Sequence, residues 1–201
     1  MITTIIFDIG NVLADFTWKE HYASFGYDDA MVERIAKATV MSPMWNEIDR
    51  GVMKVEEIIQ EFVNLDPEIE QDIRKVLDNV KTMVRRNEYA IPWIQDLKSK
   101  GYRLLYLSNF SEKAETECAY ALDFTPYLDG GILSYQEKVT KPMPEIYELL
   151  IKRYRLVPEE CVFLDDTMTN LTGAEKFGIH TIHFQNQAQA IEELRKLGVD
   201  A

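Results

Sequence analysis

The feature that most constrains this chain is a set of short, unbroken apolar runs, most of which stop at a polar or acidic residue. Ile5, Ile6 and Phe7 run into Asp8 and Gly10; Arg103–Leu107 stops at Ser108; Gly131–Leu133 stops at Ser134; Cys161–Leu164 stops at Asp165; His180–Phe184, with Ile182 and Phe184 apolar, has a similar look. Runs of this length without apolar/polar alternation read as strands covered on both faces, the signature of a parallel sheet. Helical patterns lie between most of them. Residues 91–100 carry Pro92 near the start and Gly101 as a stop, and 112–122 follow Ser111 as an N-cap. Residues 144–155 place Ile146, Leu149, Leu150 and Tyr154 at helical spacing, and 169–177 and 187–197 end at Gly178 and Gly198. Strand and helix alternate, which predicts a doubly wound, Rossmann-like α/β sheet.

Residues 16–85 interrupt that alternation. They show no strand pattern; 29–38, 55–65 and 67–85 read as amphipathic helices. In the last, Asp66 is an N-cap, Pro67 takes the first helical position, and Ile69, Ile73, Leu77, Val80 and Val84 form the stripe. The expected organisation is therefore an α/β core domain built from 1–15 and 86–201, with a helical cap domain, 16–85, inserted into it.

The chain has 201 residues, 46% of them apolar, enough for one core with a small satellite. Its 22 basic and 34 acidic residues give a net charge of -12. Such a surface repels phosphate backbones and anionic lipid, so neither nucleic acid nor membrane is an expected partner. Cys118 and Cys161 have no CxxC spacing and no neighbouring histidine, and read as ordinary thiols of a reducing compartment. The first strand-like segment, 2–7, is too short and not basic enough for a signal or spanning helix, so the expected location is the cytoplasm.

Ligands of open α/β sheets bind beyond the carboxyl ends of the strands, and that is where the acids fall. Asp8 ends the first strand; Asp165 and Asp166 end another. Acids gathered at one sheet edge repel one another and need a cation or must hold protons. An all-oxygen donor set favours Mg²⁺, which takes one or two carboxylates together with substrate phosphate. Ser108 and Asn109 lie just ahead of a helix start, a natural anion site. Lys141, in Lys-Pro-Met-Pro before another helix, is placed to hold a phosphoryl oxygen.

Phe7-Asp8-Ile9-Gly10-Asn11-Val12-Leu13 resembles the first motif of the haloacid-dehalogenase-like hydrolases. Leu107-Ser108-Asn109 resembles the second, Lys141-Pro142 the third, and Phe163-Leu164-Asp165-Asp166 with Asn170 the fourth. The insert after the first motif is similar to the family's type 1 cap. The resemblance implies a Mg²⁺-dependent phosphatase acting on a small phosphorylated metabolite, with a sugar phosphate favoured. It makes Asp8 the nucleophile that becomes an aspartyl phosphate. It implies metal ligation by Asp8, the Gly10 carbonyl and Asp166, with Asp165 acting behind them, and phosphate binding by Ser108, Asn109 and Lys141. Asn170 is expected to orient the loop that carries Asp166.

One position departs from the family pattern. Most members carry a second Asp two residues after the nucleophile, as general acid and base; here it is Gly10. The family's bacterial α-D-glucose-1-phosphate phosphatases are similar in having Gly there. Replacement donors are water, Asp15 (otherwise a turn residue) or His21 (otherwise a helix-surface histidine). The alternative reading is a catalytically weak member that binds a phosphorylated ligand or a protein partner. In the cap, Trp18 and Trp45 are candidates to stack on a substrate, and Arg50, within an Asp-Arg-Gly sequence, is a candidate to meet a hydroxyl or second anion.

Overall fold

The computed structural model describes residues 1–201. Its strands are β1 (Thr4–Phe7), β2 (Ala14–Phe16), β3 (Val84–Arg86), β4 (Arg103–Ser108), β5 (Gly131–Leu133), β6 (Cys161–Asp165) and β7 (His180–His183). Its α-helices are α1 (Trp18–Ala23), α2 (Asp29–Ala38), α3 (Trp45–Arg50), α4 (Val55–Leu65), α5 (Glu70–Asp78), α6 (Ala90–Ser99), α7 (Glu112–Glu117), α8 (Ser134–Glu137), α9 (Pro144–Tyr154), α10 (Met168–Glu175) and α11 (Gln187–Lys196).

Five strands form a parallel sheet in the order β5-β4-β1-β6-β7. β1 lies at its centre, and the chain builds first to one side of it and then to the other. Successive side chains of a strand point to opposite faces, so each strand feeds two cores. Ile5, Phe7, Leu104, Val162 and Leu164 pack on one face, with Trp93 and Leu97 of α6 and Ala190 and Leu194 of α11. Ile6, Leu105, Leu107 and Phe163 pack on the other, against Ile146, Tyr147 and Leu150 of α9 and Leu171 and Ala174 of α10. That two-sided burial is why the strands read as continuous apolar runs. No helix is long and apolar enough to cross a membrane. Both cysteines are buried, unpaired thiols.

The region between β2 and β3 holds α1–α5, and here the structure corrects the sequence reading. The chain leaves and re-enters the sheet region through an antiparallel ribbon, Ala14 opposite Arg86, Asp15 opposite Arg85 and Phe16 opposite Val84. Residues 16–85 were expected to contain no strand, yet both edges of the span are strand. The single helix expected over 67–85 is a 3₁₀ turn at Pro67–Ile69 followed by α5, which ends at Asn79 in an extended conformation. The Asn79 side chain accepts from the Lys81 N–H, a local turn that competes with helix continuation. Val84 then pairs in the ribbon instead of completing the helical stripe. The helix expected over 112–122 likewise stops at Glu117 and continues as a 3₁₀ turn. Ser111 caps it as expected, accepting from Ala114 N–H.

Candidate active site

The carboxyl ends of β1, β4 and β6 converge on a cavity of about 400 Å³. Asp8, at the end of β1, is buried; its N–H donates to the Leu164 carbonyl, and its Oδ1 accepts the N–H of Ile9. Lys141 reaches in from the loop before α9. Its side chain is 1% exposed, and Nζ lies 3.0 Å from Asp8 Oδ1 and 2.6 Å from Asp165 Oδ2. A buried ammonium between two carboxylates offsets charges that would otherwise be costly to desolvate. Burial opposes the lysine charge, but Asp8 and Asp165 outweigh it and hold the group above the usual lysine range. Burial pushes the Asp8 carboxyl up; Lys141 pulls it down, Asp165 pushes it up again, and a Ser108 hydrogen bond lowers it.

The paired acids after β6 have different surroundings. Asp165 is fully buried and saturated: Oδ1 accepts from Thr167 N–H at 2.7 Å and Asn170 Nδ2 at 3.1 Å, and Oδ2 accepts from Lys141 Nζ and from Asn170 Nδ2 at 3.1 Å. Asp166 is half-buried and lines the cavity, with Oδ2 accepting from Asn11 Nδ2 at 2.8 Å. Oxygens of Asp8, Asp165 and Asp166 lie within 4.8 Å of one another. A hard divalent cation fits this all-oxygen set.

The structure brings Asp8, Gly10, Asn109, Lys141 and Asp166 to the cavity wall. Ser108 is buried at the end of β4, beside Asp8. Asn109 has a task its position alone did not reveal. Its Oδ1 accepts from Lys141 N–H at 2.7 Å and its Nδ2 donates to the Lys141 carbonyl at 3.0 Å, so its amide clamps the lysine backbone. Asn170 is turned to Asp165, through the two bonds to its carboxylate.

The cap candidates separate. Trp45 lines the cavity, packed on Phe16 with ring centroids 5.8 Å apart. Trp18 does not; it lines a separate surface hollow with Lys19 and Met41. Arg50 is not on the cavity wall and pairs with Glu47 at 3.3 Å. His21, expected on a helix surface, is buried: Nδ1 meets Thr82 Oγ1 at 2.7 Å and Nε2 meets the Val76 carbonyl at 2.8 Å. Both ring nitrogens are thereby engaged away from the cavity. Asp15 does line it, 3.4 Å from Arg85.

Two cavity residues were missed. Asn11 sits at φ 55°, a left-handed position that asparagine tolerates, and holds Asp166. Asp49, the residue before Arg50, lines the cavity from α3. Loss of water around its carboxyl raises it to about 7, with Asp8 adding to the rise and Lys141 opposing it. Helical spacing gave no sign of which member of Asp-Arg-Gly faces inward.

A family model, haloacid dehalogenase-like hydrolase, matches residues 2–178, and the chain belongs to that family. It is 28% identical over 201 residues to acyl-CoA dehydrogenase family member 10 of Mus musculus, covering 96% of this chain but only 19% of that protein. It is 27% identical over 206 residues to D-ribitol-5-phosphate phosphatase of Bacteroides thetaiotaomicron, covering 96% of this chain and 97% of that one. The fold is also similar, with a TM-score of 0.69 and 20% identity over 92% of this chain and 95% of the other, to a family enzyme of the same organism solved with magnesium and inorganic phosphate.

Proposed function

We propose that this chain is a Mg²⁺-dependent phosphatase that hydrolyses a small phosphomonoester, a sugar phosphate by preference, through an aspartyl phosphate on Asp8. The observation that carries the reading is the Lys141 ammonium buried between Asp8 and Asp165, beside the half-buried Asp166. The neighbour crystallised with magnesium and phosphate and the ribitol-phosphate phosphatase relative support it.

Asp8, Asp166 and the Gly10 carbonyl would hold the cation. Bound there, Mg²⁺ would neutralise charge on the phosphoryl oxygens and on the acid cluster. Asp8 attacks phosphorus in line, and the bond to the leaving oxygen breaks as the Asp8–phosphorus bond forms. Lys141 and Ser108 stabilise charge on the phosphoryl oxygens, while Asn109 keeps the Lys141 backbone in register. Asp165 acts behind these groups by orienting Lys141. Residues 16–85 form the cap, with Trp45 against the organic part of the substrate.

Gly10 favours a second reading, a weak or inactive family member that binds a phosphorylated ligand or a protein partner. One assay separates the two: p-nitrophenyl phosphate hydrolysis with Mg²⁺ and with EDTA, for wild type and Asp8→Asn. The phosphatase reading expects metal-dependent turnover that the substitution abolishes; no turnover in wild type supports the binder. A panel of sugar phosphates then ranks substrates by kcat/KM.

A further inference from the structure

Gly10 leaves the leaving-group oxygen without its usual proton donor, and crowding at the Cβ position is not the reason. A Cβ built on Gly10 meets no atom within 4 Å, and its φ is not in the left-handed region. A poor leaving group such as a sugar alkoxide still needs a proton as the bond to phosphorus breaks, and general acid help is worth roughly 10²–10⁴-fold.

Four carboxylates and no histidine line the cavity: Asp8, Asp15, Asp49 and Asp166. Asp8 is the attacking group. Asp166 is held by Asn11 and turned toward the acid cluster. Asp15 pairs with Arg85, and its side chain is 42% exposed to water. Among them Asp49 alone has no side-chain hydrogen bond or ion pair; its backbone carbonyl accepts from Ser134 Oγ at 2.5 Å.

That backbone bond is one of several that fix α3 to the catalytic layer. Ser134 Oγ also accepts from Phe110 N–H, two residues past Ser108, so a single hydroxyl ties Asp49 to the loop after β4. Lys138 Nζ donates to the Gly51 carbonyl at 2.7 Å, and Asn46 Nδ2 reaches Thr140 Oγ1 at 3.3 Å, next to Lys141. Gly51 ends α3 at φ 65°, pressed so closely on α8 that a Cβ there would lie 3.0 Å from Tyr135 Cβ. The insert thus holds one carboxylate against the cavity at a fixed height over the sheet edge.

We propose that Asp49 is the general acid and base of the reaction, supplied from the insert in the place that Gly10 leaves vacant. This rests on the phosphatase reading above. In the first half-reaction the leaving oxygen parts from phosphorus as Asp8 bonds to it, and the Asp49 carboxylic proton passes to that oxygen, releasing the alcohol. In the second, the Asp49 carboxylate takes a proton from water as the water oxygen attacks phosphorus. The Asp8–phosphate bond breaks, inorganic phosphate leaves, and both aspartates return to their starting states. A half-buried carboxyl raised to about 7 by partial loss of water and by the neighbouring Asp8, against Lys141, is matched to giving and retaking a proton near neutrality.

The test is a series of aryl phosphates from 2,4-dinitrophenyl, whose leaving group needs no proton, to phenyl, whose leaving group does. In Asp49→Asn, kcat for phenyl phosphate is expected to fall at least about 10²-fold, and kcat for dinitrophenyl phosphate far less. Turnover of the dinitrophenyl ester by the variant also reports that it is folded. Adding Gly10→Asp to Asp49→Asn is expected to restore part of the phenyl phosphate rate. A uniform loss across the series, a rise in KM alone, or no loss overturns the role of Asp49 while leaving the phosphatase standing. A wild type inactive on every ester overturns the phosphatase reading, and this role with it.

Discussion

Asn11 Nδ2 donates to Asp166 Oδ2 at 2.8 Å, joining the loop after β1 to the loop after β6. The other end of the same amide accepts from Phe16 N–H at 3.1 Å, so the side chain is fixed from both sides. A carboxylate oriented in this way is presented to a cation without paying the entropy of ordering it on binding. Asn11→Ala is expected to weaken Mg²⁺ binding about 10–100-fold. Titration calorimetry with Mg²⁺ and the Mg²⁺ dependence of turnover both read this; an unchanged Mg²⁺ affinity would show that Asp166 is held by other means.

Lys141 bridges Asp8 and Asp165, and Lys141→Met keeps much of its volume while removing the charge. Breaking a buried ion pair from one side costs about 3–5 kcal/mol, because the surviving charge stays buried. Urea unfolding in EDTA near neutral pH is expected to show a loss on that scale. Turnover with saturating Mg²⁺ is expected to fall at least about 10²–10³-fold.

The central strands β1 and β6 were legible because each is buried on both faces by different helices, so Ile5-Ile6-Phe7 and Val162-Phe163-Leu164 had no polar position to disguise them. Asp8, Asp165 and Asp166 stood out because they sit at strand ends, where ligands of open α/β sheets bind; Lys141 stood out from its place just before a helix and its likeness to the family's third motif. The ribbon of β2 and β3 was not legible. It is three residues long on each side, and Val84 also satisfied the helical stripe of the preceding segment. The facing of α3 was hidden for another reason. Its six residues bury no side chain fully, so no apolar stripe distinguishes the cavity side, where Trp45 and Asp49 lie, from the side of Arg50.

Gly51 holds the αL position that ends α3, where glycine carries no Cβ penalty. Gly51→Ala brings both an unfavourable φ and a contact with Tyr135. A loss of about 1 kcal/mol or more is expected by thermal or urea unfolding. Because α3 carries Trp45 and Asp49, the same variant is expected to lose more kcat on phenyl phosphate than on dinitrophenyl phosphate.

His21 gives the fold a pH dependence of its own. Burial lowers its pKa from 6.5, although the Val76 carbonyl opposes the shift. In the unfolded chain the ring titrates near its ordinary value, so the unfolded state binds the proton more readily. The stability it contributes is full above 6.5 and is lost as pH falls from there toward the folded-state pKa. Replacing His21 by Phe removes that term, so the stability gap between wild type and variant is expected to narrow as pH falls below 6.5. Urea midpoints measured across that range check it; a gap that widens on acidification contradicts the assignment of a buried, neutral ring.

Every step of the proposed chemistry depends on the Asp8 carboxylate forming a bond to phosphorus. Acid quench of the Mg²⁺-loaded enzyme during turnover of a ³²P-labelled phosphomonoester, followed by peptide mapping, measures it directly. The expected result is label on the peptide that contains Asp8, absent in Asp8→Asn together with turnover. Label on another residue, or an Asp8→Asn variant that still turns over at the wild-type rate, would contradict it.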